Sequence, residues 1–160
     1  MTNFSLQPLR PADRDRVTQF ITGRWGAPMV VAHGEIFYPH DLPGFVAVEG
    51  SEWVGLVTYR IDGARCEIIS IDSLRPAIGI GTALIEAVKA AARQAGCTQL
   101  YLTTTNDNLH ALGFYQRRGF VLAALRPNAI EQSRRLKPQI SLIGDNGIPI
   151  RDEIELALPL

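Results

Sequence analysis

The chain has 160 residues, the size of one globular domain with a single substantial core. Its 16 Lys and Arg residues balance 16 Asp and Glu residues, so no overall charge attracts nucleic acid or an anionic membrane. No apolar run reaches the length of a membrane span, and the start lacks the basic and apolar regions of a signal peptide. Two cysteines are too few for a disulfide framework. We therefore expect one cytoplasmic domain over residues 1–160, with no nucleic-acid or membrane partner.

The beginning of the chain predicts a strand, a helix and a loop. Residues 4–9 alternate between polar and apolar side chains, which favours a strand. The segment 11–22 starts with Pro-Ala-Asp and reads as a helix that Gly23 and Gly26 end. Residues 27–43 show no clear period and contain several Gly, Pro and His residues, so we expect a long loop with at most one short helix.

Three successive strands are predicted next, at Phe45–Glu49, Trp53–Tyr59 and Ala64–Asp72. The residues between them, Gly50-Ser-Glu52 and Asp62-Gly63, are typical of hairpin turns. The three strands therefore form an antiparallel meander.

The segment Ile71-Asp-Ser-Leu-Arg-Pro-Ala-Ile-Gly-Ile-Gly-Thr-Ala-Leu84 leads from the last of these strands into an amphipathic helix that Gly96 ends. Gly79 and Gly81 stand at the helix N-terminus, where unpaired amides attract anions and a missing Cβ lets a phosphate approach the backbone. A helix start that packs closely on a sheet also uses small residues there. The third glycine of a dinucleotide-binding fingerprint and any Gly-Lys-Ser/Thr are missing, which excludes both of those nucleotide-binding classes.

The rest of the chain predicts further strands and helices in alternation. An extended connection over residues 126–150 contains an extra helix, in which Asn128 and Glu131 have capping-box spacing. The predicted elements are a strand at 100–104, a helix at 108–118 closed by Gly119, a strand at 120–125, the extra helix at 128–137 and a last strand at 154–158. The fold class is α/β (α+β), with a mixed, mostly antiparallel sheet flanked by helices.

A second motif, Asn108-Leu-His-Ala-Leu-Gly-Phe-Tyr-Gln-Arg-Arg-Gly-Phe120, follows one strand after the Gly79-x-Gly81 helix. Together the two motifs resemble the GCN5-related N-acetyltransferase (GNAT) superfamily, in order and topology over about residues 4–125. The resemblance implies that the chain uses acetyl-CoA and needs no metal. One departure is Pro76, which stands where the family's Gln/Arg-x-x-Gly-x-Gly/Ala signature has Gln or Arg and which brings no donor.

The resemblance also implies which residues bind the coenzyme. The turn and the first helical residues cradle its pyrophosphate, the preceding strand pairs with its pantetheine arm, and Arg75 supplies charge beside Pro76. Asn108 is an equally good helix N-cap. The predicted coenzyme-binding residues are Ile71, Ser73, Arg75, Ala77, Ile78, Gly79, Ile80, Gly81, Thr82, Asn108, Ala111 and Tyr115.

The catalytic residues that the resemblance implies are Tyr115 and Glu67. Tyr115 would protonate the departing thiolate, with Phe114 and Phe120 packing on the sheet and leaving it the other face. Glu67 and Asp72 are the acids of the third meander strand, and strand alternation predicts that they face opposite ways. We expect Glu67, on the face of Ile71, to be the general base, although Asp72 and water remain alternatives.

These implications predict an N-acyltransferase in which an amine acceptor attacks acetyl-CoA directly in a ternary complex. The acceptor, a small molecule or a peptide, is not encoded in any motif. The last strand of such domains also joins homodimers. Two other classes stay open: an inactive module that binds acyl-CoA as a sensor, and a structural or partner-binding domain that uses the fold alone.

Overall fold

The computed structural model describes residues 3–160. The strands are β1 (Ser5–Pro8), β2 (Val30–Ala32), β3 (Glu35–Phe37), β4 (Gly44–Glu49), β5 (Glu52–Asp62), β6 (Arg65–Ser73), β7 (Gln99–Thr105), β8 (Val121–Arg126) and β9 (Glu153–Pro159). The α-helices are α1 (Arg14–Trp25), α2 (Ile80–Gln94), α3 (Leu109–Arg117) and α4 (Ala129–Leu136). Seven strands form one sheet in the order β1-β4-β5-β6-β7-β9-β8, and β2 pairs with β3. The predicted fold class, a mostly antiparallel sheet flanked by helices, is confirmed.

The chain divides into two compact units. The first runs through Val30, continues over Tyr38–Leu100 and includes Leu160, and the second comprises Val31–Phe37 and Tyr101–Pro159. A single functional domain over residues 1–160 stays a prediction. In the described part of the chain, no helix is both long and apolar enough to cross a membrane.

The first unit contains the meander, with one helix packed on each face of it. The predicted strands are confirmed, since β4 pairs with β5 and β5 with β6 in antiparallel register. Val46 lies opposite Leu56, and both pack against Val17 and Ile21 of α1. The next pair along the strands, Ala47 and Gly55, therefore faces the other way, toward α2.

Helix α1 ends later than predicted. A 3-10 turn over Pro11–Asp13 leads into the helix, which continues through Gly23 to Trp25. Gly26 takes a left-handed conformation, φ +76°, and ends it. Glycine in a helix interior costs only about 0.5–1 kcal/mol relative to alanine, so Gly23 weakens α1 without ending it.

The prediction of a loop over residues 27–43 is wrong, because β2 and β3 form a short hairpin there. Its turn residues, His33 and Gly34, have φ of +41° and +81°. Two successive positive φ values match the twist of a two-residue hairpin. A second short element in this segment is a 3-10 turn over Pro39–Asp41.

The second unit also contains α3, α4 and the antiparallel pair β8–β9. The predicted extra helix is confirmed as α4, but its predicted capping box is not formed. Asn128 has φ of +60° and its side chain does not cap the helix. Its backbone N–H instead donates to Asp152 Oδ1 over 2.8 Å. Asp152 thus holds the backbone at the start of α4.

Candidate active site

The turn between β6 and α2 presents its backbone to solvent. Residues 74–79 are exposed, while Ile80, the first residue of α2, is buried. Gly79 is the N-cap of α2 with φ of +87°, and Ala77 has φ of +65°. A left-handed alanine costs roughly 1–2 kcal/mol, and such outliers occur preferentially at ligand sites. The Gly79 cap has no side chain to occupy the first-turn amides, so the predicted pyrophosphate cradle has the form that an anion requires.

Gly55 on β5 determines how closely α2 begins against the sheet. A Cβ on this residue would lie 2.5 Å from Ile80 Cγ2 and 3.2 Å from the Asp72 carbonyl oxygen. A side chain fits there only if Ile80 moves away, so Gly55 sets the position of the first α2 turn. Sequence reasoning missed this residue, although a glycine inside a strand often indicates a close approach of another segment.

Hydrogen bonds and ion pairs of residues 73–75 hold the turn in place. Ser73 Oγ donates to the Arg75 carbonyl oxygen over 3.1 Å, and the Leu74 N–H donates to the Val54 carbonyl oxygen over 2.8 Å. The Arg75 guanidinium binds two carboxylates, those of Glu49 and Glu52. Arg75 was predicted to bind the coenzyme, but its guanidinium contacts these two acids.

Strand β6 carries a row of buried polar groups on the face that packs against α1. Glu67 accepts from Arg60 Nε over 3.2 Å, and the Ser70 and Thr58 hydroxyl oxygens lie 2.6 Å apart. Asp72 Oδ2 accepts from Trp25 Nε1, the α1 indole, over 2.8 Å.

The predicted faces of Glu67 and Asp72 are wrong. Between its partners Tyr59–Ile68 and Thr58–Ser70, the β5–β6 register skips Ile69, which forms a β-bulge. The extra residue inverts the alternation, so Glu67 and Asp72 lie on one face. Ile71 lies opposite Val57, on the other face, and therefore not beside Glu67.

The surroundings of Asp72 change its acidity. Burial raises its pKa above 3.8, and this effect outweighs the opposing hydrogen bond from Trp25 and the charge of Arg24. Glu67 is the more deeply buried acid, with 1% of its surface exposed, and Arg60 pairs with it. Asp72 is bound to the end of α1, through Trp25 and Arg24.

In the second unit, the predicted residues lie along α3. Asn108 is its N-cap, and its Oδ1 accepts from the Ala111 N–H over 3.2 Å, so the capping alternative is confirmed. Tyr115 is buried, with 7% of its surface exposed, and its ring packs edge-on against Phe114 and Phe120 at 5.3 and 5.5 Å. The two phenylalanines therefore enclose Tyr115 and do not leave it on a separate exposed face.

Asn106, which sequence reasoning did not identify, fixes the approach to α3. Its Nδ2 donates to the Pro149 carbonyl oxygen over 2.9 Å. Its Oδ1 accepts from the N–H groups of Arg151 and Asp152 at 3.0 and 2.9 Å. One amide side chain thus ties the end of β7 to the segment that precedes β9. The next residue, Asp107, is buried and accepts from Thr105 Oγ1 over 2.5 Å.

The predicted residues therefore form two groups. Ile71, Ser73, Arg75 and residues 77–82 surround the turn before α2 in the first unit, with Glu67 further back along β6. Asn108, Ala111 and Tyr115 occupy α3 in the second unit. The residues of the turn fit a pyrophosphate, because an exposed, glycine-capped backbone is the donor set that such an anion takes.

Comparisons with known proteins bear on the family and the fold of the chain. The model of the Acetyltransferase (GNAT) family matches residues 12–120. The uncharacterized protein YdhI of Bacillus subtilis (strain 168) is 50% identical over 139 residues, which cover 86% of this chain and 87% of YdhI.

Two solved structures share the fold. An IAA acetyltransferase from Bacillus cereus ATCC 14579 gives a TM-score of 0.75 at 20% identity, covering 98% of this chain and 99% of that one. A GNAT family acetyltransferase from Elizabethkingia anophelis, solved with acetyl-CoA bound, gives a TM-score of 0.70 at 22% identity and covers 100% of both chains. The family model, the sheet order and the glycine-capped α2 all lead to one conclusion: the chain belongs to the GNAT acetyltransferase family.

Proposed function

We propose that this protein is an N-acetyltransferase that transfers the acetyl group of acetyl-CoA to an amine in a ternary complex. The observation that supports this most is the exposed turn before α2, with left-handed Ala77 and Gly79. Its backbone amides, from Ala77 to Thr82, would hold the pyrophosphate. Asn108 and Ala111 on α3 would lie along the coenzyme, and the β6 amides near Ile71 and Ser73 would bind its pantetheine arm.

The chemistry that we propose is direct attack by the acceptor amine on the thioester carbonyl. The C–N bond forms, the C–S bond breaks, the amine loses a proton and the thiolate gains one. Burial raises the pKa of the Cys66 thiol to about 12, so this cysteine is a poor nucleophile and an acyl-cysteine intermediate is not needed. Tyr115 would supply the proton to sulfur, a role that typically accelerates such steps by about 10²–10⁴-fold.

We propose Glu67 as the base that takes the amine proton, directly or through water. Its support is a carboxylate in the interior of β6, held by Arg60. Asp72 is the rival, because burial raises its pKa and brings it closer to the working range of a base. The two assignments differ in kinetics. Glu67→Gln should depress the basic limb of the kcat/KM profile, where the base is ionised, if Glu67 is the base, and Asp72→Asn should then leave the profile's shape unchanged.

Release of free CoA thiol, measured with a panel of amines that includes polyamines, aminoglycosides, lysine derivatives and peptide N-termini, tests the proposal. We expect turnover with at least one amine and none with the corresponding alcohols. Gly81→Val should abolish the rise in melting temperature that acetyl-CoA causes, while the protein without coenzyme stays folded. Tight acetyl-CoA binding to wild type and Gly81→Val alike would place the pyrophosphate elsewhere.

A second candidate function is acyl-CoA binding without turnover. The observation that favours it is the burial of Tyr115, the proposed proton donor, whose ring packs against two phenylalanine rings. Binding of acetyl-CoA with no thiol release across the whole amine panel would support this candidate over the enzyme.

A further inference from the structure

Arg75 lies in the proposed coenzyme turn, yet its guanidinium binds the carboxylates of two glutamates. Nη1 lies 3.1 Å from both carboxylate oxygens of Glu49, and Nη2 lies 2.9 Å from Glu52 Oε2. Glu49 ends β4 and Glu52 begins β5, so one arginine binds both sides of the β4–β5 turn. Both terminal nitrogens of the guanidinium are used in these contacts.

These contacts make Arg75 one of three attachments that hold the start of the turn. The Ser73 hydroxyl binds the Arg75 carbonyl oxygen, and the Leu74 N–H binds β5 at Val54. The following residue, Pro76, contributes neither an N–H nor a polar side chain. A turn with a left-handed alanine and no donor at Pro76 depends on such external attachments for its shape.

We infer that Arg75 is a positioning residue: it ties the proposed coenzyme turn to Glu49 and Glu52 and does not bind the pyrophosphate itself. This inference rests on the proposed function for its effect on acetyl-CoA. The tie preorganises the amides that receive the anion, so the turn loses less freedom when acetyl-CoA binds.

Removal of Glu49 and Glu52 distinguishes a positioning role of Arg75 from a role as phosphate ligand. The two roles predict opposite changes in the affinity for acetyl-CoA. If Arg75 were a phosphate ligand, Glu49→Ala/Glu52→Ala would free its guanidinium and remove negative charge, so acetyl-CoA would bind more tightly. If Arg75 is a tie, the same double variant should raise the Kd about three- to ten-fold, the range expected for a partly exposed ion-pair network. KM should rise correspondingly, with kcat at saturation retained.

The matched control is Glu86→Ala, which removes an exposed acid from α2 that pairs only locally, with Lys89 Nζ at 3.1 Å. It should leave the Kd for acetyl-CoA within about two-fold of wild type. Arg75→Ala should weaken binding as much as the double acid variant does. The triple variant should bind acetyl-CoA no more weakly than either, since all three side chains belong to one ion-pair network.

Calorimetric titration with acetyl-CoA gives these affinities, and hydrogen exchange of the 74–79 amides without coenzyme gives the order of the turn. We expect faster exchange in that segment for Arg75→Ala and for the double acid variant, and unchanged exchange for Glu86→Ala. Tighter acetyl-CoA binding by the double acid variant, or unchanged exchange in all variants, overturns the inference. Failure of the wild type to bind acetyl-CoA would refute the proposed function, and the exchange data would still decide whether the tie exists.

Discussion

Gly55→Ala tests whether close packing of α2 on β5 sets the coenzyme turn. The new Cβ would lie 2.5 Å from Ile80 Cγ2, whereas carbon atoms pack at about 3.5–4.0 Å, so Ile80 must retreat by about 1 Å. Overpacking of this kind costs about 1–3 kcal/mol, which for a chain of this length corresponds to roughly 3–10 °C in melting temperature. Because Ile80 is the first residue of α2, the first-turn amides move with it, and acetyl-CoA affinity should also fall.

Thermal unfolding followed by circular dichroism, with and without acetyl-CoA, measures both effects. Gly23→Ala is the matched control, because nothing lies within 4 Å of a Cβ at that position in α1 and alanine is the better helix former. It should stabilise the protein by about 0.5–1 kcal/mol and leave the coenzyme response unchanged. Ile80→Leu removes the clashing Cγ2 methyl group. It should therefore partly restore the melting temperature and the coenzyme response of the Gly55→Ala variant. A Gly55→Ala variant with wild-type melting temperature and coenzyme response would refute the reasoning.

Three further predictions concern single side chains. Tyr115→Phe should lower kcat by about 10- to 1000-fold with little change in acetyl-CoA affinity, and an unchanged kcat in the thiol-release assay would show that another group protonates the thiolate. Burial raises the pKa of Asp72, so the folded state holds this proton more tightly and wild-type stability falls as pH rises through the folded pKa. The melting temperature of Asp72→Asn relative to wild type should therefore rise over that range, and a constant difference would contradict the assigned shift. Asn106→Leu removes three hydrogen bonds to backbone groups and should cost about 2–4 kcal/mol in urea unfolding, whereas a loss below about 0.5 kcal/mol would show that water replaces them.

The sequence predicted the elements whose signals are local. Hairpin turns at Gly50 and Gly63 and the 3.6-residue period after Gly81 placed the meander and α2 correctly. The β2–β3 hairpin escaped prediction because its strands have three residues each and one of its left-handed turn residues is His33, a residue type that does not by itself indicate a turn.

The candidate site was predicted less completely, because long-range contacts decide it. The bulge at Ile69 has no sequence signal, and it alone places Glu67 on the face of Asp72. The partners of Arg75 are Glu49 and Glu52, more than twenty positions earlier in the chain, so charge at the turn was predicted but its direction was not. Asn106 was not identified because its partners, Pro149, Arg151 and Asp152, lie more than forty positions later in the chain.

An amide-resolved NMR titration with acetyl-CoA tests the central claim, that the turn before α2 receives the pyrophosphate. The backbone amides of residues 77–82 should show the largest shifts, and 3′-dephospho-CoA should shift the same amides because it retains the pyrophosphate. NADH, which carries a pyrophosphate on a different scaffold, should leave them unchanged. Saturable binding of acetyl-CoA with no shift at residues 77–82, or no binding at all, would contradict the account.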